Sequence, residues 1–395
     1  MTKALSEHRV LDLSRVLAGP WCTQMLGDLG AEVIKIEQPG KGDDTRGWGP
    51  PWHGEGAERL SAYYLSCNRN KQSVTIDMAQ TAGADLIRRL AAVSDVVVEN
   101  FKQGGLAKYG LDYAALSAIN PRLIYCSITG FGQTGPRAAQ PGYDFMIQGI
   151  SGMMSVTGEA DRQPIKSGVA YADVMTGLHA AIAILAALNQ RHVTGRGQYI
   201  DLALFDVGVS TLANQALNWL VSGDVPQRFG NAHPNVAPYQ AFATLDGHLI
   251  LAIGNDAQFA RFAVLAGHGE WASDPRFQTN AARIENRADL IPQIAQILAG
   301  RTTADWVVAL EAEGIPQGPI NTIDQALADS QATARGLVTD AGGRPSIASP
   351  LRLSDSIPDA GSAPPLLGAD TEAVLSRLLG LGEVEIATLK VARVV

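Results

Sequence analysis

The chain has 395 residues, of which 46% are hydrophobic and 18% are charged. This composition excludes a disordered or fibrous chain, and a prior of roughly 150 residues per domain predicts two or three domains. Lys and Arg number 31 against 39 Asp and Glu, which gives a net charge of −8. Nucleic-acid-binding proteins are usually basic, so this balance favours a protein that handles small molecules and has no nucleic acid partner.

The three cysteines, Cys22, Cys67 and Cys126, are widely spaced, and the seven histidines show no metal-ligand spacing. Neither a disulfide framework nor a metal site is expected. The N-terminal residues lack the apolar core of a signal peptide, and the longest apolar run, 180–188, is shorter than the roughly 20 residues that cross a bilayer. We therefore expect a cytoplasmic protein with no membrane partner.

Short β-branched runs alternate with helical patterns over the first two hundred residues, which is typical of βαβ units and a mostly parallel sheet. The pattern predicts strands at 9–13, 32–37, 73–77, 95–100, 122–129 and 199–204 and helices at 18–29, 82–92 and 173–192. The Gly-, Trp- and Pro-rich stretch 39–70 is too long for a plain connection, and long loops in α/β domains are often functional. We expect this stretch to form a wall of the functional site.

The pattern changes after a second long helix, predicted at about 205–222. A loop with Pro and Asn at 230–242 precedes a strand at 248–254 and helices up to about 314, and two last helices are predicted at about 370–379 and 383–391. The fold class is therefore α/β. The predicted organisation is a large Rossmann-like domain over 1–205, a linker helix over 206–224, a smaller inserted α+β domain over 225–325, and a linker that returns to the large domain over 326–395.

A glycine motif, Gly130-Phe-Gly132-Gln-Thr-Gly135, follows a predicted strand and matches Gly-x-Gly-x-x-Gly. A dinucleotide fingerprint opens a helix, but Pro136 and Pro141 interrupt the chain here. We therefore favour a flexible glycine loop beside a ligand over a dinucleotide site.

An isolated carboxylate, Asp173, stands at the start of a strongly apolar helix. One interpretation is a plain N-cap, because Asp accepts hydrogen bonds from backbone N–H groups at such positions. The other is a carboxylate nucleophile near a helix N-terminus, where the helix dipole favours its ionised form. The residue pattern alone leaves both interpretations open.

Several segments resemble, in this order, the class III CoA-transferases, also called the CaiB/BaiF family: VLDLSRVLAGPWCTQMLGDLGAEVIKIEQPGKGDDTR, CNRNKQSVTIDM, VVENFKQGGLAKYGL, ITGFGQTGP, GVAYADVMTGLHA and TGRGQYIDLALFD. The resemblance runs from about Arg9 to the C-terminus. Within the family, GDDTRGWGPP, GNAHPNVAPYQAF and EAEGIPQGPINTI are most similar to the succinyl-CoA:glutarate branch. The resemblance implies an enzyme that moves CoA from an acyl-CoA such as succinyl-CoA to a short dicarboxylic acid, with no permanently bound cofactor. It also implies an interlocked homodimer.

The resemblance also implies roles for particular residues. It makes Asp173 the catalytic aspartate, whose attack on the acyl-CoA gives a mixed anhydride and then an aspartyl-CoA thioester, without metal or ATP. It places Asn100, Phe101 and Lys108 beside CoA. It places the loop from Gly130 to Gly135 near the reacting thioester, where mobile glycines would limit hydrolysis of the anhydride.

The first loop, with Val16 and Leu17, bears on which acid is used. Oxalate-specific members carry Gln at the position of Leu17 and a run of glycines where this chain has HPNVAP, so oxalate is not the expected acid. Arg46 and His233 are candidates to bind the far carboxylate of a dicarboxylic acid.

Four cations in or near the 39–70 stretch are candidates to meet the phosphates of CoA, because an acidic protein needs local positive charge to bind an anion. Each of them alone is typical of a solvated surface charge, and it is their clustering that makes them candidates: Lys41, Arg46, Arg69 and Lys71.

Two alternatives to a transferase stay open. Acyl-CoA racemases of the same superfamily use the His of a Gly-His-Asp motif, whereas this chain has Gly142-Tyr143-Asp144. A phenol is a weak base near neutral pH, so Tyr143 is a candidate contact for the acyl-CoA and not a racemase base. The second alternative is a catalytically silent CoA-binding protein that keeps the fold.

Overall fold

Strands and helices alternate through the first half of the structure, a computed structural model that describes residues 3–358 and 361–395. The strands are β1 Arg9–Asp12, β2 Glu32–Glu37, β3 Trp52–His53, β4 Leu60–Ser61, β5 Lys71–Thr75, β6 Val96–Glu99, β7 Ile124–Thr129, β8 Tyr199–Ala203, β9 Tyr239–Ala243, β10 His248–Ala252, β11 Gln317–Pro319, β12 Val338–Asp340 and β13 Pro345–Ile347. The helices are α1 Ala18–Asp28, α2 Ala62–Leu65, α3 Thr81–Ala92, α4 Tyr113–Ile119, α5 Asp144–Ile150, α6 Tyr171–Thr194, α7 Leu204–Ser210, α8 Asn214–Ser222, α9 Asp256–Leu265, α10 Asn280–Glu285, α11 Arg287–Leu298, α12 Thr303–Ala312, α13 Ile323–Ala328, α14 Ser330–Ala334, α15 Thr371–Leu379 and α16 Glu383–Val391.

Six strands form one parallel sheet in the order β5-β2-β1-β6-β7-β8. Both faces of this sheet are covered, which is why its inner strands are buried without alternation, as in β6 and β7. The chain runs outward from β1 to β5 and then crosses to β6 on the other side of β1. Ligands of open α/β sheets bind at such a switch point, outside the carboxyl ends of the strands. The predicted Rossmann-like α/β fold class is confirmed.

Two hydrophobic cores lie on the two faces of this sheet. On one face, α1 and α6 pack against Val96, Val98 and Ile124. On the other face, α3 packs against Val97, and the C-terminal helices add Val374 and Ile386 to the same core. The C-terminal helices therefore pack in the same domain as the N-terminal strands.

The longest helix, α6, lies in the first of these cores. It packs against α1, α5, α7, β7 and β8. By length and hydropathy alone it would also suit a membrane span, with 24 residues and a mean hydropathy of 1.6 in its most apolar window. Core helices of soluble proteins share these properties, so the feature by itself gives weak evidence for a membrane.

The chain forms two compact units. The first contains the described residues up to Met153, Lys166–Ala216 and Ser330–Val395, and the second contains Met154–Ile165 and Leu217–Asp329. In the second unit, the antiparallel sheet β11-β10-β9 and helices α9, α11 and α12 enclose a separate core. The domain limits predicted from the sequence keep 154–165 with the large domain. In the structure this segment belongs to the second unit, in which Arg228 donates to the carbonyl groups of Glu159 and Arg162.

The linker helix predicted over 206–224 is wrong as one continuous helix. Helix α7 ends at Ser210 and α8 begins at Asn214. Ala213 between them has a φ of +48°. A left-handed residue cannot continue a right-handed helix, so the chain changes direction there, although its apolar pattern runs on.

Candidate active site

A cavity of about 840 Å³ lies at the carboxyl ends of β1, β2, β6 and β7, where the sheet topology predicts a ligand site. Its walls come from the loop after β1, the stretch after β2, the turn after β6 and the residues after β7, all in the first unit. Most of the predicted site residues line it: Val16, Leu17, Lys41, Asn100, Phe101, Lys108, Gly130, Tyr143 and Asp173.

The carboxylate of Asp173 reaches this cavity from the first turn of α6. The N-cap of α6 is Ala170, so Asp173 is the third helical residue and not the cap. Its side chain accepts no hydrogen bond from the residues that the structure describes. The interpretation of Asp173 as a plain N-cap is therefore wrong, because the helix starts two residues earlier than the sequence pattern predicts.

The environment of Asp173 makes its carboxyl unusually basic. Burial raises its pKa, the nearby carboxylate of Asp144 raises it further, and the result is about 7. Tyr63 lies close by: burial, followed by the charge of Asp173, raises the pKa of its phenol to about 12. A carboxylate with a raised pKa that faces a cavity is typical of a group that performs chemistry.

The loop after β1 is held in a strained conformation beside Asp173. Val16 has a φ of +71°, which is rare for a β-branched residue. Its N–H group donates to the carboxylate of Asp43 at 3.3 Å, and Asn100 bonds both the N–H and the carbonyl of Arg15. Non-glycine residues in such conformations cluster at functional sites, where the surrounding structure enforces them.

This loop also delivers backbone donors to the cavity. Leu17 and Ala18 line the cavity at the N-terminus of α1. Within the described residues, their N–H groups donate to no acceptor. Free N–H groups at a helix N-terminus can stabilise an oxyanion that develops on a reacting carbonyl.

Lys35 and Asp43 form a buried ion pair beneath this loop, with 2.9 Å between Nζ and Oδ2 and no exposure of either side chain. Lys35 also donates to the carbonyl of Ser14 at 2.8 Å. Burial tends to raise the pKa of Asp43, but the charge of Lys35 and hydrogen bonds from Thr45 lower it to about 2. The pair is therefore ionised, and it fixes the loop at Ser14 and Val16, on either side of Arg15.

Three predicted CoA ligands are not at the cavity. Arg46 donates to Glu37 at 2.7 and 2.8 Å and to Tyr64 at 2.6 Å. Arg69 forms a buried ion pair with Asp28, and Lys71 pairs with Asp12 at 3.0 Å. A buried cation needs a charged partner, and these three side chains already have theirs. The structure thus separates Arg46, Arg69 and Lys71 from the predicted binding residues, and it leaves Arg46 unsuited to a substrate carboxylate.

Four exposed cations do line the cavity, and two of them, Arg15 and Lys102, are absent from the sequence prediction. Arg15 pairs with Asp44 at 2.8 Å and lies 6.0 Å from the centre of the Phe101 ring. Lys41 and Lys108 complete the set. Exposed cations of this kind can neutralise the phosphates of a bound anion. Arg15 is the second residue after the first predicted strand, and this position is the signal that the sequence offered.

The glycine motif has a packing role that the sequence did not reveal. A Cβ on Gly130 would lie 2.5 Å from Cα of Gly142, so the two backbones touch. Gly132 does not line the cavity. Its N–H group donates to the hydroxyl of Thr129 at 2.9 Å. The next N–H group, of Gln133, donates to Asp201. The predicted place of Gly132 at the binding site is therefore wrong, whereas Gly130 does line the cavity.

The remaining predicted contact, His233, belongs to the second unit. Its Nδ1 accepts from the N–H group of Asn235 at 3.1 Å, and its ring lies against Tyr239. In the described part of the chain, no three His, Cys, Asp or Glu side chains are grouped so that they could hold a metal ion.

Known proteins match the chain over almost its full length. A family model described as CoA-transferase family III matches residues 5–371. The chain is 48% identical to the succinate–glutarate CoA-transferase of Agrobacterium fabrum, with 95% of each chain covered. It is 42% identical to the succinyl-CoA:glutarate CoA-transferase of Homo sapiens, with 100% of this chain and 90% of the human protein covered. A CaiB/BaiF family protein from Brucella suis has a similar structure, with a TM-score of 0.87, 52% identity and coverage of 96% and 100%.

Proposed function

The chain belongs to CoA-transferase family III, and we propose that it exchanges CoA between succinyl-CoA and glutarate through covalent attack by Asp173. It is an enzyme of the transferase class, and it moves CoA between succinyl-CoA and a dicarboxylate. The observation that carries the covalent step is a carboxyl with a pKa of about 7 that faces an 840 Å³ cavity and accepts no hydrogen bond within the described residues.

The first half of the reaction releases the donor acid. The ionised carboxylate of Asp173 attacks the thioester carbonyl of succinyl-CoA, the C–S bond breaks, and a mixed anhydride and CoA thiolate form. The N–H groups of Leu17 and Ala18 are placed to stabilise the oxyanion of this step. The thiolate then attacks the aspartyl carbonyl of the anhydride, which gives an aspartyl-CoA thioester and free succinate.

The second half reverses these steps with the acceptor. The carboxylate of glutarate attacks the aspartyl thioester and expels CoA thiolate, which gives a second mixed anhydride. The thiolate attacks the glutaryl carbonyl, so that glutaryl-CoA leaves and the carboxylate of Asp173 is restored. Over the whole cycle one CoA thioester is consumed and another is formed, so the energy of the thioester is conserved and the exchange needs no ATP.

Competing acceptors test this proposal. Purified enzyme with succinyl-CoA is given glutarate, adipate, oxalate or acetate, and the new thioesters are separated by chromatography. Because the side chain of Leu17 has no polar atom to bind oxalate, we expect four- to six-carbon dicarboxylates to exceed oxalate and acetate by about tenfold or more in kcat/KM. Equal rates with acetate and glutarate would contradict a dedicated contact for the far carboxylate. Deuterium exchange at the α-carbon without new thioesters would favour the racemase alternative.

A homodimer is part of the same proposal. Helix α8 supports it, because none of its residues is buried and its apolar side chains face outward: Leu217 54%, Trp219 50%, Leu220 66% and Val221 84% exposed. Apolar surface of this kind is usually covered by a partner. We expect light scattering to give twice the 41.7 kDa of one chain, with no monomer on dilution. A stable, active monomer would contradict the interlocked dimer.

A further inference from the structure

The N-terminus of α6 is capped by a residue from another element. Ala170 occupies the N-cap position and has no side-chain acceptor. Instead, Oδ1 of Asp144, the first residue of α5, accepts from the N–H of Ala172 at 2.8 Å and from the N–H of Asp173 at 3.4 Å. A carboxylate in this position replaces a missing cap and interacts favourably with the helix dipole.

A second contact fixes Asp144 itself. Its Oδ2 accepts from the side-chain amide of Gln148 at 2.7 Å. Gln148 is fully buried, and its own oxygen accepts from the N–H of Ser167 at 2.8 Å. Asp144 and Gln148, one turn apart on α5, therefore bind the chain just after and just before the start of α6.

This arrangement leaves Asp173 without the donors that a carboxylate at a helix N-terminus usually receives. The N–H groups of Ala172 and Asp173 already bond Asp144, and the N–H of Val174 bonds Ala170. Asp144 also contributes a negative charge. A like charge disfavours ionisation of a neighbouring carboxyl, and burial acts in the same direction.

We propose that Asp144 is a positioning residue for the nucleophile: its carboxylate caps α6 in place of Asp173, which directs the Asp173 carboxylate to the cavity and keeps it basic. This inference rests on the proposed function, in which Asp173 attacks the thioester. A more basic carboxylate is the stronger nucleophile, but a smaller fraction of it is ionised at neutral pH.

The other titratable groups near Asp173 do not supply this effect. Besides Asp144, the elements packed against α6 carry Cys22 and Asp28 on α1, Tyr125 and Cys126 on β7, Tyr199 and Asp201 on β8, and Asp206 on α7. Tyr63 on α2 also lies near Asp173. The two thiols are buried, with raised pKa values, and Asp28 is paired with Arg69. The charge that acts on Asp173 is that of Asp144.

The test is the pH dependence of kcat/KM for succinyl-CoA in the wild type and in Asp144→Asn. Since kcat/KM reports the free enzyme, the wild-type value should fall about tenfold per pH unit below about 7. Asn keeps an oxygen for the two N–H groups but has no charge, so the acid limb should move to lower pH by about half a unit to one unit. Gln148→Met is the matched control: it removes the hydrogen bond to Asp144 and keeps the charge, so its acid limb should stay in place.

Two further measurements separate this inference from the proposed function. Asp144→Ser is a second neutral cap and should shift the limb in the same direction. The infrared C=O band of protonated Asp173, obtained by subtracting spectra of Asp173→Asn enzymes, should titrate at lower pH in the Asp144→Asn background. An unmoved limb and band, or loss of the fold in both neutral variants, would overturn the positioning role. The covalent mechanism has a separate test: if acyl-CoA leaves no adduct on Asp173 of the wild type, the proposed function fails, whatever the pH profiles show.

Discussion

Asp173→Asn should lose at least about 10³-fold in kcat while the fold and CoA binding survive. The amide cannot form an anhydride or a thioester with the acyl-CoA, so the covalent step is removed. The cap of α6 is not lost, because Asp144 and not Asp173 bonds the first-turn N–H groups. The matched control is Asp206→Asn. Asp206 is also the third residue of a helix, α7, but it is exposed and does not line the cavity, so its activity should stay near wild type.

Stability should change in the opposite direction from activity. The pKa of Asp173 in the fold is about 7, above the ordinary value of 3.8. Its contribution to stability is therefore present at low pH and is lost as pH rises through about 7. Asp173→Asn removes this penalty and should be more stable than wild type at pH 8 by about 1–3 kcal/mol, with the difference vanishing below about pH 4. Urea unfolding at the two pH values measures both.

Covalent trapping completes this test. Wild-type enzyme with succinyl-CoA alone should carry an adduct that hydroxylamine or borohydride converts to a stable product, which peptide mass spectrometry should locate at Asp173. An Asp173→Asn enzyme with full transfer activity, or an adduct found only on another residue, would contradict the mechanism.

Local patterns were sufficient to predict the sheet. The strand at 32–37 and the last helix at 383–391 have the predicted limits, and α1 ends one residue early, at Asp28. These elements are buried on one or both faces, so their apolar period follows directly from packing. The order of strands then places the site, because the crossover from β5 to β6 creates the switch point.

The roles of the buried charges could not be predicted in the same way. Arg69 and Lys71 find their partners 41 and 59 residues away in sequence. The sequence shows that a cation follows a glycine-rich loop, but not that Asp28 or Asp12 meets it inside the fold. The cap of α6 is similar, since Asp144 lies 28 residues before the N–H group of Ala172 that it accepts from. The break at Ala213 has no signal either, because alanine is ordinarily a good helix former.

Lys35→Met should destabilise the protein by about 3–5 kcal/mol, because it leaves Asp43 ionised and buried without a cation. Both side chains of this pair are fully buried, so water cannot replace the lost partner. Activity should fall as well, since Lys35 and Asp43 hold Ser14 and Val16 on either side of Arg15. The free energy of unfolding in urea and the transfer rate measure the two effects.

Lys41→Met provides the matched control for this substitution. Lys41 lines the same cavity, but its side chain is 64% exposed and its contact with Asp44 is 3.4 Å. Exposed pairs contribute little, so the loss should be below about 1 kcal/mol. Lys35→Met/Asp43→Asn removes both charges and keeps an oxygen for Val16 and Thr45, so it should recover part of the stability. If the double variant is no more stable than Lys35→Met, the loss comes from packing around the Lys35 stem and not from an unpaired carboxylate beneath the loop after β1.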